Sequence, residues 1–314
     1  MSDASHLYSI FGLTVRSEIA FDGLPPAGEK AVPDVEIRRG AIVAAEDRPG
    51  YRETPHGTLL TVPGTGRYLI SGGREIVAEA AEGGSERNLR LYLLGSAIGA
   101  LLHQRGLLPL HANAIEIGGR AFAFSGHSGA GKSTMAAWFH DRGHRILTDD
   151  VCVIATTPDG RALAYPGIPR LRLWREAVEA SGRKAEEYDR SFDGMDKFDV
   201  PTRMEERRDP LELGGVYLLR RAEDGAQAGR IERIAGAGAV ETLISNTYRG
   251  GYLRTIGRTG EHFHACLGIA RAVPVFRVER LWGFDRFEEQ ARMLESHALS
   301  LPRPGAAAAA ADAR

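Results

Sequence analysis

Short runs of apolar residues, separated by glycine and proline, dominate the first 80 positions of the chain. Residues 7–18, 34–40, 57–64 and 66–80 each alternate or cluster apolar side chains over the length of one or two strands. Glycines between and within these runs favour tight turns. The pattern predicts a small β-rich unit at the N-terminal end.

The apolar spacing changes to a helical one over residues 86–105. Ser85 precedes this stretch and is a suitable N-cap, whereas Gly106 follows it and is a suitable stop. We therefore expect one N-terminal unit over residues 1–107 that ends in a helix.

Strand-like and helix-like patterns alternate through the rest of the chain, which predicts an α/β domain over residues 108–301. Its opening residues read as a hairpin of 109–117 and 120–126, followed by a helix over 132–141. Further strands are predicted near 214–220, 231–234 and 273–280, and further helices near 238–247, 261–271 and 284–298. The alanine-rich residues 302–314 are predicted to be a disordered tail.

Residues 175–210 are highly charged, and the sequence leaves two interpretations open. They form either a solvated helix with a surface loop or a mobile lid over a site.

Composition narrows the class of protein. The 314 residues are 43% hydrophobic and 26% charged, as in soluble globular proteins. A formal net charge of -1 gives no electrostatic reason to expect nucleic acid or a membrane surface as partner. Cys152 and Cys266 are the only cysteines, and no signal-peptide pattern opens the chain, so we expect a cytoplasmic protein.

The strongest chemical motif is residues 126–133, which match G-x-x-x-x-G-K-[ST] between an apolar strand and a helix. In such a loop, glycines let backbone N–H groups point at phosphate oxygens, and the helix adds its positive N-terminal end. The lysine reaches the β- and γ-phosphates, and the following hydroxyl ligates Mg²⁺. The residues expected to contact ATP are Gly126, His127, Ser128, Gly129, Ala130, Gly131, Lys132, Ser133 and Thr134.

Two adjacent acids, Asp149 and Asp150, end the apolar run that follows this helix. One carboxylate can hold Mg²⁺ while the other accepts a proton from an incoming hydroxyl. The alternative is that one of the two merely caps a turn. His111 lies on the strand before the loop, where a lone histidine is more often structural than functional.

Residues 110–154 resemble the core of HPr kinase/phosphorylase, the bacterial enzyme that phosphorylates a serine of a sugar-transport phosphocarrier protein. Four features agree in register: His111 fifteen residues before Gly126, the loop itself, the Gly-His-Arg of 143–145, and the acidic pair 149–150.

The resemblance implies a fold shared with phosphoenolpyruvate carboxykinase, a mixed sheet with flanking helices that carries the phosphate loop. It implies that Asp149 is the general base, that Asp150 and Ser133 ligate Mg²⁺, and that His111 lies beside the phosphates. Thr134 stands where the family usually has glutamate, and the family's Arg-Pro-Gly signature has no clear copy. The segments at 8–18 and 165–174 are more similar to HPr-kinase-related proteins, some of which phosphorylate lasso-peptide precursors.

The expected activity is ATP- and Mg²⁺-dependent transfer of the γ-phosphoryl group to a serine-type hydroxyl of a peptide or small protein. Two alternatives stay open: a kinase for a small-molecule hydroxyl, and a nucleotide-binding regulatory protein without transfer activity. The family often forms oligomers, so a homo-oligomer is also expected. The sequence does not decide the roles of Lys197, Arg249 and Arg254.

Overall fold

The structure is a computed structural model that describes residues 5–43, 48–202, 209–223, 229–281, 283 and 285–303. The chain has a mixed α/β fold with strands in three sheets among these residues. No helix in the described part is long and apolar enough to cross a membrane. Most of the tail predicted to be disordered, residues 304–314, lies outside the described residues.

The N-terminal sheet has the order β1-β2-β3-β7-β6-β5-β4 and contains parallel as well as antiparallel pairs. Its strands are β1 (His6–Ile10), β2 (Leu13–Ser17), β3 (Val35–Arg39), β4 (Gly50–Thr54), β5 (Gly57–Val62), β6 (Gly66–Ser71) and β7 (Glu75–Ala80). All the predicted strand runs are present. The edge strand β4, which is largely polar, is an additional strand that the apolar pattern did not indicate.

The predicted helix consists of α1 (Glu86–Tyr92), a π-helical segment at Leu93–Ala97, and α2 (Ile98–Gln104). Ser85 caps it as expected, because its Oγ accepts a hydrogen bond from the Asn88 backbone N at 3.4 Å. Gly106 follows the helix with a φ of +73°.

The remaining strands are β8 (Leu108–Leu110), β9 (Ala112–Ile117), β10 (Arg120–Ser125), β11 (Ile146–Thr148), β12 (Cys152–Thr156), β13 (Ala162–Tyr165), β14 (Arg170–Trp174), β15 (Asp189–Arg190), β16 (Lys197–Pro201), β17 (Leu211–Arg221), β18 (Arg230–Ile234) and β19 (Val275–Arg280). Strands β14, β16 and β15 form a small antiparallel sheet, and the other nine described strands form one large mixed sheet. Within the large sheet, β10, β17 and β19 run parallel to one another. Their carboxyl ends therefore meet at one edge.

The strand predicted over 109–117 is interrupted at His111. Strand β8 pairs with β12, whereas β9 pairs with β10 and β11. The backbone N of His111 donates instead to the carbonyl of Asn246 at 2.8 Å, outside either ladder. This break places the histidine at a strand junction.

Helices α3 (Lys132–Asp141) and α8 (Phe287–Ser300) pack on one face of the large sheet, and α5 (Ala237–Ser245) and α7 (Thr259–Ala272) pack on the other. Helix α4 (Arg175–Ala180) packs on the small sheet, α6 (Tyr252–Thr255) contacts β4 and α7, and a 3-10 turn lies at Ala185–Glu187. Strand β10 alternates large and small side chains. Phe122 and Phe124 pack in the cluster that includes α3 and α8, and Ala121 and Ala123 pack in the cluster that includes α5 and α7.

The charged segment 175–210 contributes α4, β15 and β16, so much of it is ordered structure beside β14. Its residues 203–208 lie outside the described part of the chain.

The N-terminal sheet shares a hydrophobic core with the rest of the chain. Val151, Val153 and Tyr252 belong to the same buried cluster as the N-terminal strands. The rings of Tyr252 and Tyr51 lie 4.8 Å apart, and the Tyr252 hydroxyl is 2.7 Å from the Thr58 hydroxyl. The strands before residue 107 thus share a hydrophobic core with residues that follow it.

Candidate active site

The loop of residues 126–131 joins β10 to α3 and adopts a conformation that depends on glycine. Gly126, Gly129 and Gly131 have φ angles of +149°, +81° and +80°. A Cβ on Gly126 would lie 2.6 Å from the carbonyl oxygen of Leu219. A Cβ on Gly131 would lie 2.6 Å from a guanidinium nitrogen of Arg280. Both positions therefore exclude larger residues for steric as well as conformational reasons.

Lys132 begins α3 and folds back over the loop. Its Nζ donates to the carbonyl oxygens of Gly126 at 2.8 Å and of His127 at 3.3 Å. Burial lowers the pKa of Lys132, and the carboxylates of Asp150 and Asp149 partly offset this effect. The ammonium group thus hydrogen-bonds to two loop carbonyl oxygens. A phosphate bound at the loop would compete with these carbonyls for the ammonium group.

Arg280 supports the loop from the end of β19. It is only 4% exposed, and its guanidinium donates to the carbonyl oxygen of Ala130. Burial lowers its pKa to about 10, so it remains charged at neutral pH. The guanidinium also lies 5.8 Å from the ring centre of Phe287.

Asp149 follows β11 and is 7% exposed. One carboxylate oxygen accepts from the Ser133 hydroxyl at 3.4 Å, and the other accepts from the Arg172 backbone N at 2.6 Å. Burial raises the pKa of Asp149 to about 6, and the neighbouring charge of Asp150 adds to the rise. Asp149 is thereby fixed against the first turn of the helix that follows the loop.

Asp150 has a left-handed backbone, with a φ of +70°, which is uncommon for a residue other than glycine. Its carboxylate accepts from the Arg172 side chain at 3.2 Å and lies 3.3 Å from His111 Nδ1. Burial alone would raise the pKa of Asp150, but the positive charges of Arg172, Lys197 and Lys132 contribute to lowering it overall. The two adjacent acids therefore occupy different electrostatic environments.

His111 Nδ1 is also 3.1 Å from the backbone carbonyl oxygen of Asp150. Burial lowers the pKa of His111, so the ring is neutral near pH 7 and its Nδ1–H donates to Asp150. On its other side, His111 lies 6.0 Å from the ring of Tyr248.

The motif residues converge on one cleft of about 520 Å³. The predicted residues that line it are His111, Ser128, Gly129, Gly131, Lys132, Ser133, Thr134 and Asp150. Asp149 lines a small adjoining gap instead, together with Asp150 and Arg172. Gly126, His127 and Ala130 belong to the loop but are not among the residues that line the cleft.

The three cations whose roles the sequence left undecided lie in different places. Lys197 lines the cleft from β16, 5.9 Å from the ring centre of Trp174. Arg249 has a φ of +54° and lies over Tyr248 at 5.4 Å. Arg254 is exposed on α6.

Sequence reasoning missed Arg172 and Arg280. The stretch Arg170-Leu171-Arg172-Leu173 alternates in strand fashion, with both leucines buried, and this pattern could have indicated two arginines on one face. Arg280 carries no comparable pattern, because only the parallel pairing of β19 with β17 brings it to the loop.

The donor set of the site suits Mg²⁺. The described residues contain no group of three or more His, Cys, Asp or Glu side chains that could hold a metal. Mg²⁺, however, is usually held by one or two carboxylates together with substrate phosphates and water. Ser133, Asp149 and Asp150 offer a hydroxyl and two carboxylates beside the loop, and this set fits the ion.

Known proteins show only distant similarity to this chain. No family model and no curated protein matches the chain. Among solved structures, the HPr(Ser) kinase/phosphatase from Coxiella burnetii is similar, with 15% identity, a TM-score of 0.36, and coverage of 61% of this chain and 90% of that chain. A match with so low a TM-score does not establish a shared fold, so the interpretation of the site depends on its own geometry.

Proposed function

We propose that this protein is an ATP-dependent kinase with a phosphate-loop core, which transfers the γ-phosphoryl group to a serine-type hydroxyl of a peptide or small protein. One observation carries the proposal: the loop that bears Lys132 and Ser133 meets the pair Asp149 and Asp150 at a single site, with Ser133 and Asp149 in hydrogen-bond contact. Nucleotide binding alone would need one carboxylate at most. A second carboxylate supports a reaction with an incoming hydroxyl.

The loop and α3 supply the nucleotide site. The N–H groups of residues 126–131 and the N-terminal end of α3 favour bound phosphate. Lys132 exchanges its bonds to the loop carbonyls for bonds to phosphate oxygens. Arg280 stabilises the loop conformation through its hydrogen bond to the carbonyl oxygen of Ala130.

Ser133 and Asp150 would hold Mg²⁺, whose chemistry is to neutralise charge on the phosphate oxygens. The low pKa of Asp150 suits a ligand that must stay ionised. Asp149, the second carboxylate, also contacts Ser133. Both acids therefore lie near the expected Mg²⁺ position, and separate variants are needed to assign their roles.

Transfer requires little covalent help from the protein. The acceptor O–H bond breaks, its oxygen bonds to the γ-phosphorus, and the bond between that phosphorus and the β–γ bridging oxygen breaks to release ADP. Asp149 orients the hydroxyl and takes its proton. His111, neutral and hydrogen-bonded to Asp150, holds that carboxylate in place.

The test is transfer from γ-labelled ATP, with Mg²⁺ and a source-organism extract separated into a peptide-and-protein fraction and a small-molecule fraction. We expect label in peptides or proteins with the wild type and none with Lys132→Ala. Label confined to small molecules, beyond released phosphate, would assign a metabolite acceptor. No lysine-dependent label in either fraction would overturn the proposal in favour of a regulatory protein.

Asp149→Asn and Asp150→Asn assign the two acids. We expect Asp149→Asn to retain nucleotide affinity and Mg²⁺ dependence but to lose transfer, and Asp150→Asn to require far more Mg²⁺. Transfer by Asp149→Asn at the wild-type rate would refute its role as the base.

A further inference from the structure

A second cleft, of about 380 Å³, lies between the N-terminal unit and the small sheet of β14–β16. Arg87, Arg90 and Leu94 line it from the helical side, and Arg170 and Asp199 line it from the small sheet. The residues from 108 onward could not form this cleft alone, since one of its walls is α1.

The second cleft adjoins the small gap beside the acidic pair. Arg170 and Ile168 line both this cleft and the small gap beside Asp149 and Asp150. Asp150 in turn lines the phosphate-loop cleft. The carboxylates therefore lie between the two clefts. This position suits in-line transfer, in which the acceptor and the leaving group lie on opposite sides of the phosphoryl group.

The helix that walls the second cleft is irregular next to the carboxylates. Its π-helical segment, Leu93–Ala97, contributes Gly95 to the lining of the small gap. A Cβ on Gly95 would lie 3.1 Å from the Tyr248 hydroxyl, so the glycine lets Tyr248 approach the segment closely. Such π-helical turns often occur at functional sites.

Most charges in the second cleft are paired. Arg170 binds Asp199 at 2.7 Å, and Arg87 lies 3.2 Å from Asp189. Four arginines and three aspartates line the cleft in all: Arg87, Arg90, Arg170, Arg190, Asp22, Asp189 and Asp199.

Among the four arginines that line the second cleft, Arg90 has the longest ion-pair distance to a carboxylate. Its nearest acidic partner, Glu86, is 4.0 Å away and is also bonded by Arg39 at 2.6 Å. The Nε of Arg90 is buried without a hydrogen-bond partner among the described residues. The Arg90 side chain as a whole is 40% exposed, so its guanidinium is accessible to an anionic group from outside the chain and shares its one close carboxylate with Arg39.

We propose that the second cleft seats the phosphoryl acceptor, and that the acceptor is a peptide segment with acidic side chains next to the reacting serine, one of which binds Arg90. This inference depends on the proposed kinase function and specifies its substrate. The small gap measures about 10 Å³, so it has to widen when the acceptor binds for the hydroxyl to reach Asp149. ATP occupies the phosphate-loop cleft.

The test uses two pools of synthetic peptides with a central serine. Flanking positions are drawn from Asp, Glu, Gly and Ala in one pool and from Lys, Arg, Gly and Ala in the other. Transfer from γ-labelled ATP and binding of fluorescent peptides are measured for the wild type and Arg90→Glu. The control is Arg74→Glu, at an exposed arginine in the turn before β7 that lines neither cleft. Nucleotide affinity is measured in every variant, so that misfolding is recognised.

We expect the wild type to prefer the acidic pool. Arg90→Glu should lower kcat/KM and affinity for that pool about five- to tenfold and favour the basic pool, whereas Arg74→Glu should not. Peptide transfer with the same pool preference in Arg90→Glu and wild type would overturn the inference and leave the kinase function standing. If the wild type binds nucleotide and labels the protein fraction of the extract but neither pool, the acidic-peptide inference falls and the kinase function stands. Label in neither the pools nor the extract would overturn both.

Discussion

At the scale of single residues, the contact between Gly131 and Arg280 links the loop of residues 126–131 to the end of strand β19. The guanidinium fills the space that a side chain at residue 131 would occupy, and it donates to the carbonyl oxygen of the preceding residue, Ala130. Loop geometry therefore depends on a residue outside the motif.

Gly131→Ala should weaken nucleotide binding roughly tenfold and destabilise the protein by about 1–3 kcal/mol, because it adds a clash with Arg280 to a left-handed backbone. The matched control is Gly129→Ala, which has the same φ of about +81° but open space within 4 Å. Titration with a fluorescent ATP analogue and thermal unfolding measure both effects. Equal losses in the two variants would show that the Arg280 contact is unimportant.

The motif residues were predictable from sequence, whereas their supporting residues were not. Spacing alone singles out Lys132 and Ser133, since the motif G-x-x-x-x-G-K-[ST] is a local pattern. Arg280 reaches the site through the pairing of β19 with β17, and Arg172 through its backbone hydrogen bond to Asp149. One sequence gives no direct information on such contacts between distant residues.

At the scale of elements, most strands and helices agree with the apolar pattern, and the disagreements have physical causes. The helix predicted at 132–141 has those bounds in the structure. The strand predicted over 109–117 is split because its two halves pair with different strands around His111. Strand β4 lies at a sheet edge, where a strand needs no regular apolar face.

Two glycines within elements should respond oppositely to alanine. Gly214 lies in β17, where a Cβ would meet the ring of Phe122 at 2.5 Å, so Gly214→Ala should destabilise the fold by about 1–3 kcal/mol. Gly268 lies in α7, where the nearest atom would be 3.6 Å away, so Gly268→Ala should stabilise it by about 0.5–1 kcal/mol. Denaturant unfolding of both variants checks these signs. A neutral Gly214→Ala would mean that Phe122 moves freely.

At the scale of the whole molecule, the N-terminal unit is joined to the rest by buried polar contacts as well as by the shared core. His103 of α2 is 2% exposed, and its Nε2–H donates to the carbonyl oxygen of Tyr248 at 2.8 Å. Burial lowers its pKa to about 4, a change that the Tyr248 bond opposes and the charge of His262 strengthens. His103 lines a small cavity together with Arg258, Glu261 and His262.

The buried, neutral His103 should make the free energy of unfolding fall at acid pH. The folded pKa of His103 is below the unfolded value of 6.5, so the unfolded state binds more protons between these values. The contribution of His103 is complete above pH 6.5 and is lost as pH falls toward 4, by up to about 3 kcal/mol. The free energy of unfolding, measured from pH 7 to 4.5, should fall less steeply in His103→Gln. Identical slopes would contradict the assignment to His103.

Lys132 has a consequence for the heat of nucleotide binding. Because its ammonium group already holds two loop carbonyls, a phosphate replaces bonds rather than adding them. The exchange makes the enthalpy of binding a difference between two similar quantities. Calorimetry on the wild type should therefore give a smaller heat than the number of loop–phosphate contacts suggests, and much of the affinity should come from entropy gained as water is released.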